Sequence, residues 1–375
     1  MPLSMSDHPY KHLPDKAFWR RSVAAADPAS VDPVGDFGLR ITQGTKVATA
    51  GSCFAQHIAR HLKKTGFNYY VAEPGHPILP DAVREQHNYG IFSARYGNIY
   101  TVRQLLQLFR RAYGQFSPVD DVWLEPDGSV RDPFRPAVQP RGFISEAEMR
   151  ADRKQHLAAV RQMFEQLDVF VFTLGLTECW ASRADGAVFP LCPGVEGGQF
   201  DPDRYVFHNQ DIGEVVCDMS DFIDALKAVN EKAEIVLTVS PVPLVATAEP
   251  DAHVLAATTY SKAVLRVAAE TLRRRYSHVH YFPSYEIVTG AFNRGRYFAE
   301  NLRDVTEEAV SHVMRLFLQH AAGCTGIEPA ATSGSEAPQP DTILARAQEL
   351  VEVECDEIAL DRELIGQKTV EAPNR

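Results

Sequence analysis

The fold is decided by one stretch of the chain, Val47-Ala48-Thr49-Ala50-Gly51-Ser52-Cys53-Phe54-Ala55. Small and apolar residues lead into Gly51, which permits a tight turn. The Ser52 hydroxyl can then accept a hydrogen bond from a free amide in the first turn of a helix. Apolar residues follow at helical spacing, up to a glycine typical of a helix end: Phe54, Ile58, Leu62 and Gly66. The stretch predicts a strand, a sharp turn and a helix, whose free amides suit a developing oxyanion.

Strand and helix patterns alternate along the rest of the chain. Strands are predicted at residues 46–50, 68–72, 168–175, 234–240 and 278–282, and helices at residues 52–64, 102–113, 145–166, 222–230, 256–275 and 307–320. The apolar runs at 168–175 and 234–240 are typical of strands buried in a parallel sheet. Proline and glycine predict long loops over residues 114–142 and 185–213. The sequence therefore predicts an α/β fold with a doubly wound parallel sheet.

The chain divides into three segments by composition. Residues 1–40 are interpreted as an N-terminal arm, residues 41–321 as one α/β domain with loop insertions, and residues 322–375 as a linker and flexible acidic tail. Within the tail, residues 341–354 could form one acidic helix, either solvated or docked on a partner.

Composition and charge argue against several classes of function. The net charge of −11 argues against nucleic acid as the main partner, because phosphate binding requires a basic face. No apolar run approaches the roughly 20 residues of a membrane span, and residues 1–11 lack the hydrophobic core of a secretory signal. The six cysteines are scattered without Cys-x-x-Cys spacing, which favours reduced thiols over disulfides or a zinc site. We therefore expect a cytoplasmic protein with no membrane partner, no metal and no organic cofactor; its oligomeric state is not predicted.

Residues 51–55 read letter for letter as the motif that names the GSCFA family. Further stretches carry the same resemblance over about residues 8–320, namely residues 88–90, 95–101, 172–178, 238–243, 260–262 and 281–286. Members of this family resemble the SGNH/GDSL hydrolases. The resemblance therefore implies a three-layer α/β/α SGNH-like domain.

The resemblance also implies a serine nucleophile. In SGNH hydrolases the serine follows the first strand, and Ser52 matches it by position. A glycine amide and an asparagine side chain help to hold the oxyanion there; Gly97 or Gly90 could match the glycine. Thr177 and Glu178 stand where a Gly-x-Asn pattern would supply the asparagine. The candidate oxyanion and substrate-binding residues are Gly51, Cys53, Gly97, Asn98, Gly175, Thr177 and Glu178.

The last block of the family pattern, which should supply the base, is altered. Many relatives resemble Tyr-Ala-Glu-Asp-x-x-His-Pro there, whereas this chain has Asn301 at the aspartate and Asp304 at the histidine. Asp304 keeps a candidate catalytic position, but a free carboxylate has a pKa near 3.9, far from the neutral value that suits a serine's base. We therefore take His253, in a loop after a strand end, as the provisional base. The other histidines considered are His57, His76, His87 and His312.

Two alternative functions follow from these assignments. The first is a serine-dependent acyl-ester hydrolase or O-acyltransferase with a small-molecule or glycan substrate; resemblance to carbohydrate-modifying SGNH-type enzymes favours the glycan. The second is a non-catalytic ligand-binding or assembly protein that has lost the Asp-x-x-His pair. A thiol enzyme based on Cys53 is a third possibility, because a helix N-terminus lowers a thiol pKa. Lys262 and Glu178 are expected in polar networks, while Arg95, Arg135 and Arg303 could bind an anionic or sugar substrate or be surface charges.

Overall fold

A parallel sheet forms the centre of the computed structural model, which describes residues 8–52 and 54–322. The strands in chain order are β1 (Val47–Gly51), β2 (Trp123–Leu124), β3 (Val130–Arg131), β4 (Val169–Leu174), β5 (Glu178–Ser182), β6 (Val188–Phe189), β7 (Tyr205–Asn209), β8 (Glu234–Val239) and β9 (Val279–Tyr281). The helices are α1 (Phe54–Lys64), α2 (Asp81–Gln86), α3 (Val102–Ala112), α4 (Glu146–Gln166), α5 (Ile212–Val229), α6 (Val254–Arg275), α7 (Ser284–Thr289) and α8 (Glu307–Ala322).

The central sheet has the strand order β1-β4-β8-β9, and each neighbouring pair is parallel. Tyr69 adds a parallel bridge to Val47 at the outer edge of β1. The segment with Tyr69 therefore lies on one side of β1, and β4, the next strand of this sheet along the chain, lies on the other side. This reversal between β1 and β4 is the topological switch point, where ligands of open α/β sheets bind beyond the strand ends. Ser52 and Gly175 directly follow the two strands that flank it.

Helices cover both faces of the sheet. One core joins alternate residues of β1, β4 and β8 to α3, α4, α5 and α6. The other core joins the opposite face of the same strands to α1, α7 and α8, and to an extended segment that includes Val34 and Ile41. The predicted mixed α/β fold, with a parallel sheet between helical layers, is confirmed. No helix within the described residues is long and apolar enough to cross a membrane.

Gly51 ends β1 in close contact with β4. Its φ of +137° lies in a region that L side chains rarely adopt, and a Cβ there would lie 2.4 Å from the carbonyl oxygen of Thr173. Because Thr173 is the Cα partner of Gly51 in the sheet, only glycine lets the two strands pair up to this point. The glycine therefore places Ser52 at the rim of the sheet.

Several predicted elements differ from the structure. Residues 68–72 were predicted as a strand but contribute only the Tyr69 bridge, because Pro74 and Gly75 follow and the chain leaves the sheet. Residues 185–213 were predicted as a loop, yet they contain β6 and β7, which pair with β5 in an antiparallel sheet. In the other predicted loop, residues 114–142, β2 and β3 form a short antiparallel pair.

Helix α5 starts ten residues before the predicted position of 222. Asp211 and Glu214 form a capping box, in which each side chain accepts a hydrogen bond from the other residue's amide. The prediction overlooked this start signal. The predicted linker and acidic tail, residues 322–375 with the helix at 341–354, lie outside the described residues except for Ala322.

Candidate active site at the carboxyl edge of the sheet

Ser52 lies directly after β1 and is only 4% exposed. Its Oγ is buried and has no hydrogen-bond partner among the described residues. Leaving a buried hydroxyl unpaired costs about 1–3 kcal/mol, and Oγ1 of Thr173 on β4 is likewise buried without a partner among the described residues. Ser52 is the residue that the resemblance implies as nucleophile.

A narrow crevice adjoins Ser52 at the ends of β1, β4 and β8. It is lined by Ser52, Tyr100, Gly175, Leu176, Ser240, Val242, Pro243, Leu244 and Lys262. Its volume of about 10 Å³ is close to the minimum for one water molecule. A Cβ on Gly175 would lie 2.9 Å from the carbonyl oxygen of Tyr100 and 3.3 Å from Cβ of Ser52. Gly175, a predicted site residue, is thus next to the nucleophile candidate.

Lys262 brings a buried amine to the same crevice. The residue is 3% exposed, and its Nζ donates a hydrogen bond of 2.5 Å to the carbonyl oxygen of Gly175. Sequence reasoning assigned it only to a polar network. A stronger signal was available, because Lys262 shares one face of α6 with the buried residues Leu265 and Ala269. A lysine on a buried helical face is uncommon unless the residue is paired or functional.

Two backbone amides at the strand ends, those of Ser52 and Gly175, already donate hydrogen bonds within the fold. The amide of Ser52 donates to the carbonyl oxygen of Thr173 over 3.3 Å, and the amide of Gly175 donates to that of Tyr100 over 3.1 Å. The loop with Gly97 and Asn98 is fixed to β1 by a 2.8 Å hydrogen bond from the Ile99 amide to the Gly51 carbonyl. These two residues line a separate, larger cleft. The Asn98 carbonyl oxygen Oδ1 accepts a 3.2 Å hydrogen bond from Gln56 there.

Thr177 and Glu178 connect the antiparallel sheet to neighbouring segments. Thr177 donates its hydroxyl to Asn209 over 2.7 Å, and its amide donates to the Ser261 hydroxyl over 3.0 Å. Glu178 accepts hydrogen bonds from the Thr247 hydroxyl (2.6 Å) and from the amide of residue 248 (3.3 Å). Burial raises the pKa of Glu178, although these two hydrogen bonds oppose the rise. Neither residue is among those that line the crevice.

The two predicted partners of the serine lie in local structures of their own. His253 is exposed and caps α6, because its Nδ1 accepts a 3.1 Å hydrogen bond from the Leu255 amide. Asp304 accepts a 2.7 Å hydrogen bond from the side chain of Asn301, whose Oδ1 accepts from the Asp304 amide over 3.0 Å. Neither lines the crevice of Ser52. Cys53 lies outside the described residues.

The larger cleft has a volume of about 1120 Å³ and lies between the outer face of α1, residues 81–92 and residues 131–140. Behind it is a buried ionic network. Arg95, interpreted from the sequence as either a substrate-binding residue or a surface charge, is 2% exposed and donates to Asp152 over 2.8 Å, so it is not a surface charge. Arg135 donates to the fully buried Asp132 and to the same Asp152. The described residues contain no group of three or more His, Cys, Asp or Glu side chains placed to hold a metal ion.

Comparison with known proteins places the chain in a family. No curated protein matches it. The model of the GSCFA family matches residues 46–317, which is well over half of the 375 residues. The match begins at β1, includes Ser52, Gly175 and Lys262, and ends within α8. The chain therefore belongs to the GSCFA family.

Proposed function

We propose that this protein is a serine-dependent acyl-ester hydrolase or O-acyltransferase in which Ser52 is the nucleophile. The observation that carries the proposal is the buried Oγ of Ser52, which has no hydrogen-bond partner among the described residues, in the same crevice as the buried amine of Lys262. Both lie at the switch point of the sheet, the usual ligand position in this architecture. Nucleophilic catalysis needs a hydroxyl and a group that takes its proton.

Lys262 is the proton acceptor in this proposal. Serine–lysine pairs are an alternative to the serine–histidine arrangement, and buried lysine is a residue type that serves as a general base. The Ser52 hydroxyl makes no hydrogen bond to Lys262 in the structure. A neutral amine that keeps one N–H on the carbonyl of Gly175 would offer its lone pair to Ser52 once the crevice opens. The role predicted for His253 thereby passes to Lys262, while His253 and Asp304 remain alternatives for the test below.

The proposed reaction has two steps, the acylation and the deacylation of Ser52. The Ser52 proton moves to Nζ of Lys262 while Oγ forms a bond to the carbonyl carbon of the ester. The ester C–O bond then breaks, and Lys262 returns the proton to the departing alcohol. Water or a substrate hydroxyl then attacks the acyl carbon while Lys262 accepts its proton; the acyl C–Oγ bond breaks, and Lys262 returns the proton to Oγ of Ser52. Water as acceptor gives a hydrolase, and a sugar hydroxyl gives an O-acyltransferase.

Access to Ser52 requires the crevice to open. Its volume of about 10 Å³ is too small for an acyl group. One wall is formed by Val242, Pro243 and Leu244, which belong to an irregular segment between β8 and α6. Displacement of this segment by the substrate would expose the hydroxyl and then exclude water from the acyl-serine.

The alternative function is ligand binding without catalysis. Two observations favour it: the Ser52 amide is already hydrogen-bonded to Thr173, and neither His253 nor Asp304 reaches the crevice. Under this alternative, the intact Gly51-Ser52 turn is only structural, and Ser52 has no enhanced reactivity.

The test is fluorophosphonate labelling read by peptide mass spectrometry. The parent protein is compared with Ser52→Ala, Lys262→Met and Lys262→Arg; His253→Ala and Asp304→Asn are the matched controls. Methionine keeps the apolar stem of Lys262, while arginine keeps the charge but cannot act as a base. Circular dichroism establishes that each variant is folded.

We expect an adduct on Ser52 in the parent protein. Both Lys262 variants should label at least about 100-fold more slowly, the lower range for a lost general base. His253→Ala and Asp304→Asn should label normally. An adduct that only His253→Ala or Asp304→Asn weakens would return the base role to that residue. No adduct on Ser52, under conditions that label a known serine esterase, would refute the enzyme and favour ligand binding.

A further inference from the structure

The large cleft beside α1 has a basic lining in an acidic protein. Its charged lining residues are six cations, Arg60, Lys63, Lys64, Arg84, Arg131 and Arg135, and only three carboxylates, Asp81, Glu85 and Glu196. The whole chain carries a net charge of −11. Cations thus outnumber carboxylates on the lining of this cleft, although Arg84 is paired with Asp81. Clefts of one sign raise the local concentration of oppositely charged ligands.

One wall of this basic cleft is the last two turns of α1. Lys63 and Lys64 follow Arg60 by three and four residues, so the Cβ atom of each lysine is about 5–6 Å from that of Arg60. Nζ of Lys63 donates to the carbonyl oxygen of Gly90 and lies 4.8 Å from the ring centre of Tyr69. Neither Lys63 nor Lys64 makes an ion pair within the described part of the chain. The spacing suits a ligand with repeated anionic groups.

The facing wall carries two arginines that are held from behind. Arg135 is 4% exposed and is fixed by Asp132 and Asp152, while its Nη1 has no hydrogen-bond partner among the described residues. Arg131 donates to the Pro136 carbonyl over 2.9 Å, and its Nε is 3.6 Å from a Glu125 oxygen. Buried ion pairs contribute little net stability. What this network does provide is a fixed position for both guanidinium groups, which lowers the entropy cost of binding a ligand.

We propose that the basic cleft binds a small polyanion, a ligand that carries at least two phosphate or carboxylate groups. The volume of about 1120 Å³ exceeds that needed by a single inorganic anion and lies slightly above the roughly 300–1,000 Å³ typical of small-molecule sites. Prolines on the lining, among them Pro74, Pro136 and Pro190, leave apolar surface for an uncharged part of the ligand. A nucleoside diphosphate and an acidic oligosaccharide share this chemistry. The proposal does not depend on catalysis by Ser52.

The experiment is isothermal titration calorimetry on the full chain with three probes. These are adenosine diphosphate, a trigalacturonate and the neutral maltotriose. The parent protein is compared with Lys64→Glu and Lys63→Glu in the cleft. Lys232→Glu, at an exposed residue that is not part of the cleft lining, is the matched control because it changes the net charge equally. Ser52→Ala separates this site from the proposed active site.

At least one of the two anions should bind, and maltotriose should not. Lys63→Glu and Lys64→Glu should each weaken binding at least about tenfold, as for a lost charge-assisted hydrogen bond. Lys232→Glu and Ser52→Ala should bind as the parent does, whatever the labelling of Ser52 shows. Preference for one anion identifies the source of the anionic groups. Absence of binding by both anions, equal binding of maltotriose, or equal weakening by Lys64→Glu and Lys232→Glu would overturn the proposal.

Discussion

Replacing Gly51 with alanine should strongly destabilise the protein. Gly51 has a φ of +137°, a conformation accessible almost only to glycine. The added Cβ would lie 2.4 Å from the carbonyl oxygen of Thr173 and 2.8 Å from its Cβ. Thr173 belongs to the central strand β4, which pairs with strands on both sides and cannot retreat without disturbing both pairings.

Two costs determine the size of the effect. Holding alanine in this backbone conformation costs about 1–3 kcal/mol. Forcing an extra carbon into a packed strand pair costs about 1–3 kcal/mol more. We therefore expect Gly51→Ala to lower the free energy of unfolding by about 2–6 kcal/mol. That is a large part of the roughly 5–15 kcal/mol that stabilises a typical domain.

Urea unfolding followed by circular dichroism measures this loss, with Gly66→Ala as the matched control. Gly66 also has a positive φ, +76°, but no atom lies within 4 Å of the Cβ position. Its replacement should therefore cost only the left-handed conformation, about 1–2 kcal/mol. If Gly51→Ala destabilises the protein no more than Gly66→Ala does, the contact between β1 and β4 does not exclude a side chain and this explanation of the turn is wrong.

Two further predictions follow from the same structure. Gly175→Ala should slow fluorophosphonate labelling of Ser52 at least about tenfold, because the Cβ of the alanine would lie 3.3 Å from that of Ser52. Overpacking of this kind costs only about 1–3 kcal/mol of stability. Labelling at the parent rate would contradict the prediction. Acid should destabilise the fold between pH 6.5 and about 4, because burial lowers the pKa values of His156 and His312 to about 4 and the unfolded chain alone takes up these protons. Each histidine then adds up to about 1.4 kcal/mol per pH unit to the pH dependence of the free energy of unfolding. Urea unfolding at pH 7.5, 6 and 5 measures this dependence, and His156→Gln should reduce it. A free energy of unfolding that does not change over this range would contradict the prediction.

The parallel sheet was predictable because its strands are local signals. β4 and β8 are continuous apolar runs buried on both faces, and the predicted ranges differ from the observed ones by at most one residue at either end. The antiparallel sheet of β5, β6 and β7 was not predicted. Its short strands alternate with glycine and proline, and they are held by pairing with one another across residues 178–209. Such non-local pairing is not visible in a single window of sequence.

The candidate site was predictable only at the strand ends. Ser52 and Gly175 follow β1 and β4, and topology alone brings two such positions together. The predicted base required knowledge of side-chain direction, which a loop position does not give. His253 uses its Nδ1 for the local task of capping α6. Lys262 comes from the interior of the same helix, where its helical phase would have indicated burial but not its contact with Gly175.

Residues 301–304 do not carry the Asp-x-x-His pattern that the resemblance implies, so the proposed activation of Ser52 depends on another residue. Asn301 and Asp304 instead hydrogen-bond to one another. Lys262 reaches the crevice from a different element and already makes one hydrogen bond there. As an ammonium ion, Lys262 has no lone pair and can only donate hydrogen bonds, which suits the binding of a ligand without catalysis. As a neutral amine it can take the proton of Ser52. The proposed mechanism therefore requires Lys262 to be neutral when Ser52 reacts.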